Sequence, residues 1–525
     1  MLAVGGTADA QDGADAQSAQ RLFDQFADPG SEFRTKPFMV WNTEITPHRI
    51  DRILSEYKEQ GCGGVFIHPR LGLITEYLSP TWNEMVKYTV DKGRDLGLEV
   101  WLYDENSYPS GFAGGHVPRE MPEAFNRGQG LKPTAADTMP ADVSKYFVIV
   151  AEEDGKFENV TGRDASMAGR PGRFYLYEKT FYQPSPWYAG GPYVDLLAHG
   201  VTDKFMEITM QGYEKTFGGD LKGNVKGVFT DEPEIVSPGG VRWTPDLFDV
   251  FRSEYGYDLS DCLPQLHEEI GDWRKVRHDY FQLLNRLFVE RWARPWYDYC
   301  AGKGISWTGH YWEHNWPLVT GVTDNMSMAA WQQVPGIDML FNQFNEKSTG
   351  AQFGNIRSVK EVRSIANQLG RRRVLSETYG GGGWNVTFKD MKRLCDWQMV
   401  LGVNLVNQHV GHMSLDGVRK FDYPPMFTRA ASWWENYHVL NDYIARICTV
   451  MSLGEQVNDI LVLEPTTTAW LYNNYMGKPA EGASLEIGQK FQDLVATLEH
   501  AQVEFDLGCE HIFQTNGSVR DGNFV

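Results

Sequence analysis

The sequence predicts an α/β fold: a (β/α)8 TIM barrel with an inserted small β subdomain, followed by the start of a second α/β domain. Three observations carry this. Strand-like and helix-like segments alternate from residue 36 to about residue 451, and eight such pairs follow in order. One connection, Ser107 to about Gly200, is too long for a β-to-α loop. After Gly454 a new strand–helix–strand pattern begins.

The apolar run inside Lys36–Asn42 is the first strand. Thr46 then caps a helix that has Pro47 at its first position and runs through Glu59. Gly63–His68 is the second strand, and Ser79-Pro80 opens a helix to about Asp95. Leu98–Asp104 is the third strand. Within the long connection, 107–200, two β-like pieces (Tyr146–Ala151 and Arg173–Tyr182) point to a small β subdomain over the catalytic face. Val201–Phe217 is read as one helix, and Val225–Thr230 as the fourth strand. Helices over about 245–256 and 269–301 precede a fifth strand at Gly304–Tyr311. Gly336–Leu340 is a weak sixth, Ser358–Leu369 is helical, and Arg373–Glu377 is the seventh. A helix over Thr387–Leu401 leads to the eighth, Gly402–His409, and a helix from about Ser432 to Met451 closes the set. These readings divide the chain into residues 1–30, a disordered N-terminal segment or signal remnant; 31–453, the barrel; and 454–525, an incomplete second α/β domain. In the last, Val457–Glu464 and Val503–Leu507 are strands flanking a helix at Ile487–Ala501, and the stop at Val525 is read as truncation.

Composition narrows the function classes. A net charge of −20 offers no basic surface to neutralise phosphates, so nucleic acid is not an expected partner. No stretch of 18 apolar residues occurs, so no membrane-spanning helix is expected. The six cysteines (62, 262, 300, 395, 448 and 509) show no C-x-x-C spacing, which argues against zinc or redox use. Ala8-Asp9-Ala10 resembles a signal-cleavage site without a full apolar stretch before it, and this is the basis for expecting a periplasmic or secreted protein. No glycine-rich run has the residues of a nucleotide site.

Chemistry-bearing residues fall at the C-terminal ends of the predicted strands, which in such a barrel all open on one face. Glu232, in Thr230-Asp231-Glu232-Pro233, ends the fourth strand and is the candidate general acid. Glu377 ends the seventh, before Gly380–Gly383, and is its candidate partner. A gap of about 5–5.5 Å between the two carboxyl groups would mean a retaining mechanism, and about 6.5–9.5 Å an inverting one. Trp41, Asn42, His68, Asp104, Glu105, His310, Trp312, Glu313, Trp384 and His409 are candidate substrate-binding residues at other strand ends. Asp104, Glu105 and Glu313 are also the competing catalytic carboxylates. No compact metal-ligand spacing appears, and a hard, oxygen-ligated calcium ion would leave little trace.

The ordered set Lys36–Asn42, Gly63–Ile67, Tyr108–Gly115, Phe229–Pro233, Ser376-Glu377, Gly383-Trp384, Leu401–Leu405, His409, Arg419–Pro425 and Trp433 resembles the bacterial α-L-rhamnosidase family of glycoside hydrolases, family 106. The resemblance runs from about Phe33 to Trp470. It implies hydrolysis of a terminal glycosidic bond in a plant or microbial oligosaccharide or polysaccharide, with Glu232 as acid and Glu377 as its partner. It also implies inversion and a calcium ion (Ca2+) at the rhamnose site, whose ligands it does not map onto this chain. The alternatives are a retaining β-galactosidase-like or β-glucuronidase-like enzyme, a non-catalytic carbohydrate-binding barrel, and a metal-dependent hydrolase or isomerase.

Overall fold

The computed structural model describes residues 19–163, 166–473, 481–520 and 523–524. Eight strands form the barrel: β1 (Phe38–Trp41), β2 (Gly64–Pro69), β3 (Glu99–Tyr103), β4 (Gly227–Asp231), β5 (Ser306–His310), β6 (Val334–Met339), β7 (Leu375–Thr378) and β8 (Leu405–Gln408). Each pairs in parallel with the next. The ring closes through a break. The ladder of β8 stops at Gln408 and resumes at Gly411–His412, which pair in parallel with Met39 and Val40 of β1.

Alternation along the strands sets two layers. Phe38, Val40, Phe66, Trp101, Tyr103, Phe229, Val334, Leu375 and Leu405 point inward and form their own apolar cluster. Their neighbours Met39, Trp41, Val65, Ile67, Val100, Leu102 and Val228 join the larger core against the helices. Two residues beyond Phe229 and Leu375, and four beyond Val334, the same parity delivers Asp231, Glu377 and Asp338 to the open end of the barrel. His310 and His409 come from the matching positions of β5 and the end of β8.

The helix starts follow local chemistry. Thr46 accepts the N–H of Arg49 before Pro47–Glu59, Ser79 accepts that of Trp82 before Pro80–Leu96, and Thr387 and Asp390 make a reciprocal capping box before Phe388–Val400. Two expected helices are divided. Val201–Phe217 is split at Thr209 into Val201–Ile208 and Met210–Thr216. The 269–301 helix contains a π turn, Val289–Ala293, just before Pro295, whose missing N–H cannot continue the ladder.

The insertion is a five-stranded antiparallel sheet, larger than the two pieces expected. Its order is Lys156–Asn159, Val148–Glu153, Pro171–Thr180, Gly130–Thr138, Val241–Arg242. Gly130–Thr138 escapes sequence reading because Pro133 argues against a strand. It is tolerated because only Gly130 and Leu131 pair with Val241–Arg242, leaving Pro133 on an open edge. The last strand of the sheet comes from the chain after β4, outside 107–200, and Arg242 there forms a buried ion pair with Asp195.

Beyond the barrel, Leu461–Leu463 and Asp506–Gly508 pair in parallel, joined through the helices Thr466–Tyr472 and Gly482–His500. This unit is seated on the barrel: Ser364 Oγ accepts the Leu507 N–H at 2.8 Å, and Trp470 donates to the Thr323 carbonyl at 2.7 Å. Residues 19–27, expected to be disordered, are helical. The signal-like segment lies outside the described residues. No described helix is long and apolar enough to cross a membrane.

Candidate active site

At the C-terminal end of the barrel, a cavity of about 200 Å³ is lined by Arg70, Tyr108, Asp231, Glu232, His310, Trp312, His314, Asp338, Leu340, Phe341, Gln352, Glu377, His409 and Tyr423. Both predicted carboxylates therefore face one space. Glu232 donates its backbone N–H to the His310 carbonyl at 3.2 Å, one step beyond the β4–β5 ladder, and then leaves the strand with φ +42°. Its carboxyl is held well above the usual carboxylate range, first by burial and then by the charge of Asp231.

Glu377 projects inward from β7 and is 4% exposed. His310 Nε2 stands 2.8 Å from one of its oxygens and His409 Nε2 stands 3.6 Å from the other. Burial alone would lower the His310 pKa. The hydrogen bond and charge of Glu377, then the charges of Asp231 and Asp338, reverse this, so the imidazole is held protonated. Burial raises the pKa of Glu377, and the His310 imidazolium opposes that rise. His409 is the reverse case: burial and the charge of Arg70 keep it neutral.

Sequence spacing hid the tightest cluster. Asp231, His310 and Glu377 come from β4, β5 and β7, yet they offer ligand atoms within 4.8 Å of one another. Asp231 is fixed by Tyr103, which donates to Oδ2 at 2.5 Å, and by a reciprocal pair of bonds between its backbone and Ser110. The trio does not fit calcium, which takes six to eight oxygens. It supplies one imidazole nitrogen and two carboxylates, and that nitrogen lies 2.8 Å from Glu377.

Other cavity residues also escaped the sequence. Arg70 is gripped by Asp422 through two bonds of 2.7 and 2.9 Å, across 352 positions, and its third recorded bond goes to His68 Nε2 at 3.0 Å. That pairing holds the Asp422 carboxyl far below its usual range, although burial works the other way. Asp338 Oδ1 and Trp312 Nε1 are buried without a hydrogen-bond partner among the described residues, on side chains that line the cavity. The signal that could have found Asp338 was parity: it lies four residues after inward Val334.

Of the predicted binding residues, His310, Trp312 and His409 line the cavity. Glu313 lies behind it, its Oε1 accepting the Asp338 N–H at 2.6 Å. His68 lies below, against the Tyr103 ring, where it steadies Arg70. The rest do not line it. Trp41 has outward parity and packs on Trp82, ring centroids 4.7 Å apart. Asn42 clamps Ser414 through two bonds. Asp104 accepts from Ser110 and Thr230. Glu105 receives the backbone N–H groups of Asn106, Gly111, Phe112, Ala113 and Gly114, so it anchors its loop. Trp384 is 43% exposed and donates to the Lys420 carbonyl. Glu234, three residues beyond Asp231, has its carboxyl pushed by burial to about 7.

Comparison with known proteins bears on the family and the fold. Residues 177–480, more than half the chain, match the family described as alpha-L-rhamnosidase, glycoside hydrolase family 106. A solved rhamnosidase from Novosphingobium sp. PP1Y superposes with a TM-score of 0.66 at 15% identity, covering 96% of this chain and 66% of that one. The family 42 β-galactosidase Gan42B from G. stearothermophilus superposes with a TM-score of 0.54 at 10% identity, covering 91% and 66%. At these identities the likeness speaks for the fold. A curated protein of Formosa agariphila, provisionally named a beta-glucuronidase, is 26% identical over 289 residues, 53% of this chain and 23% of its own length. The chain thus spans under a quarter of that relative and just under two thirds of those structures.

Proposed function

This chain belongs to the alpha-L-rhamnosidase family of glycoside hydrolases, and on that premise we propose that it hydrolyses a terminal glycosidic bond, an α-L-rhamnoside in the first instance. The reading rests on Glu232 and Glu377 lining one small cavity in different settings: Glu232 is held well above the usual carboxylate range by burial, and Glu377 lies 2.8 Å from His310 Nε2. Glu232, kept protonated, donates its proton to the leaving glycosidic oxygen as the C–O bond breaks. Glu377, whose upward shift is opposed by the His310 imidazolium, either takes a proton from the water that attacks the anomeric carbon, or attacks that carbon itself to form a glycosyl-enzyme that water then hydrolyses. No step is routed through calcium. The cavity is smaller than the roughly 300–1,000 Å³ of drug-sized pockets, which suits one terminal sugar ring and an exo-acting enzyme on an oligosaccharide or polysaccharide.

A β-glucuronide is the second reading. The Formosa agariphila relative carries that name. Arg70 has three recorded bonds against five N–H donors, so it can still donate to a sugar carboxylate.

The test is release of p-nitrophenol from α-L-rhamnoside, β-D-galactoside, β-D-glucuronide and α-L-arabinoside by wild type, Glu232→Gln and Glu377→Gln. One glycoside hydrolysed, with kcat falling at least ~10³-fold for Glu377→Gln, supports the pair. Turnover that survives Glu377→Gln overturns it.

A further inference from the structure

Two aromatic side chains at the cavity mouth are held in a costly backbone conformation. Phe341, after β6, has φ +57°, and Tyr423, in the loop after β8, has φ +51°. Non-glycine residues in that region cost on the order of 1–3 kcal/mol each and persist only where surrounding structure imposes them. Here the imposing structure is visible. The Phe341 N–H donates to the Gly380 carbonyl at 2.7 Å, Gly381 donates to the Tyr423 carbonyl at 3.4 Å, and Gly383 donates to the Pro424 carbonyl at 2.9 Å. These bonds stitch together the loops that follow β6, β7 and β8. Both rings close over Gly381, where an added Cβ would lie 2.6 Å from Phe341 and 3.3 Å from Tyr423. The result is an aromatic pair with centroids 6.3 Å apart, lining the cavity yet 41% and 39% exposed.

A core does not leave two large rings open to water, and the inward face of Tyr423 meets His409, beside Glu377. Tyr108, which also lines the cavity, lies within electrostatic reach of both Glu232 and Tyr423. The rings stand at the mouth of the cavity that both carboxylates line, where the part of a substrate beyond its terminal ring must pass. We propose that Phe341 and Tyr423 form a platform for the leaving group, and that the chain selects leaving groups that present a flat ring face, whether an aryl ring or the C–H face of a second sugar. The inference rests on the glycosidase reading given above.

The experiment measures binding by calorimetry to full-length Glu377→Gln protein, which cannot turn the probes over. The probes are methyl α-L-rhamnoside, p-nitrophenyl α-L-rhamnoside and a rhamnosyl-glucose disaccharide. The platform predicts tighter binding of at least one ring-bearing probe than of the methyl glycoside. Adding Phe341→Ala should remove roughly three- to tenfold of that preference, read as the ratio of ring-bearing to methyl-glycoside affinity. Phe341→Leu, which keeps bulk but no flat face, should behave like Phe341→Ala. Preference for the aryl probe alone, or for the disaccharide alone, identifies the source of the ring. Equal binding of all three probes, no binding of any, or equal losses for all three in Phe341→Ala overturns the platform. Ring-selective binding with no turnover by wild type would instead overturn the hydrolase reading and leave the platform standing.

Discussion

Replacing His310 by Ala removes the cation that touches Glu377, with consequences that follow from the geometry. The lost bond is a charge-assisted contact at 2.8 Å in a site where His310 is 1% exposed. Such bonds contribute about 1.5–3 kcal/mol, and one pKa unit corresponds to about 1.36 kcal/mol. Asp231, whose oxygen lies within 4.8 Å of Glu377, would then repel it with only the charge of Arg70 in opposition. Losing the His310 bond raises the Glu377 pKa, and the bond's energy corresponds to a displacement of about 1–2 pH units in an activity profile. The working form of Glu377 is the carboxylate, so the acid limb of kcat/KM moves to higher pH by that amount. His310→Gln, which can still donate without a charge, should move it less. The assay is kcat/KM against pH for wild type, His310→Ala and His310→Gln, with circular dichroism to confirm folding. An acid limb that stays in place, or moves down, in folded His310→Ala would refute the ion-pair argument.

Other outcomes follow from the same structure. The raised pKa of His310 makes its stabilisation fully present below the unfolded value near 6.5. The difference in thermal stability between wild type and His310→Gln should therefore shrink as pH rises through the folded pKa. Glu234, at about 7 through burial, acts in the opposite sense: its ionisation weakens the fold between about pH 4.5 and 7, so Glu234→Gln should flatten the fall in Tm over that range. Asp422→Asn leaves the Arg70 guanidinium buried without its counter-charge and should cost about 3–5 kcal/mol by chemical denaturation. Gly309→Ala should cost about 2–4 kcal/mol and lower kcat, because β5 has φ +127° there and a Cβ would collide with the Thr230 carbonyl next to Asp231.

What the sequence disclosed was mostly local. The caps at Thr46, Ser79 and Thr387 were readable or recoverable because each satisfies a backbone N–H within four residues. The strands were readable because apolar runs ended in Gly, Pro or a carboxylate. Glu232 and Glu377 stood out for the same reason. What stayed hidden depends on chain segments far apart in sequence. Trp41 looked like a binding residue until strand parity turned it outward, and Glu105 looked like one until backbone N–H groups up to nine positions away closed around it. Asp231 passed as the lesser neighbour of Glu232, since nothing in Thr230–Pro233 says which carboxylate meets His310. Arg70 finds Asp422 only when the two ends of the barrel join.

The strand Val241–Arg242 changes what can be exchanged between relatives of this chain. It completes the inserted sheet from the far side of β4, and its Arg242 is paired with Asp195 inside the insertion. Residues 107–200 are therefore not a detachable cassette. A chimera that grafted only that segment onto another barrel would arrive with an unpaired edge at Gly130–Leu131 and a buried Asp195 lacking its cation. Recombination in this lineage, natural or engineered, has to carry the 107–200 segment and the β4-to-helix connection together, and that connection begins at Glu232.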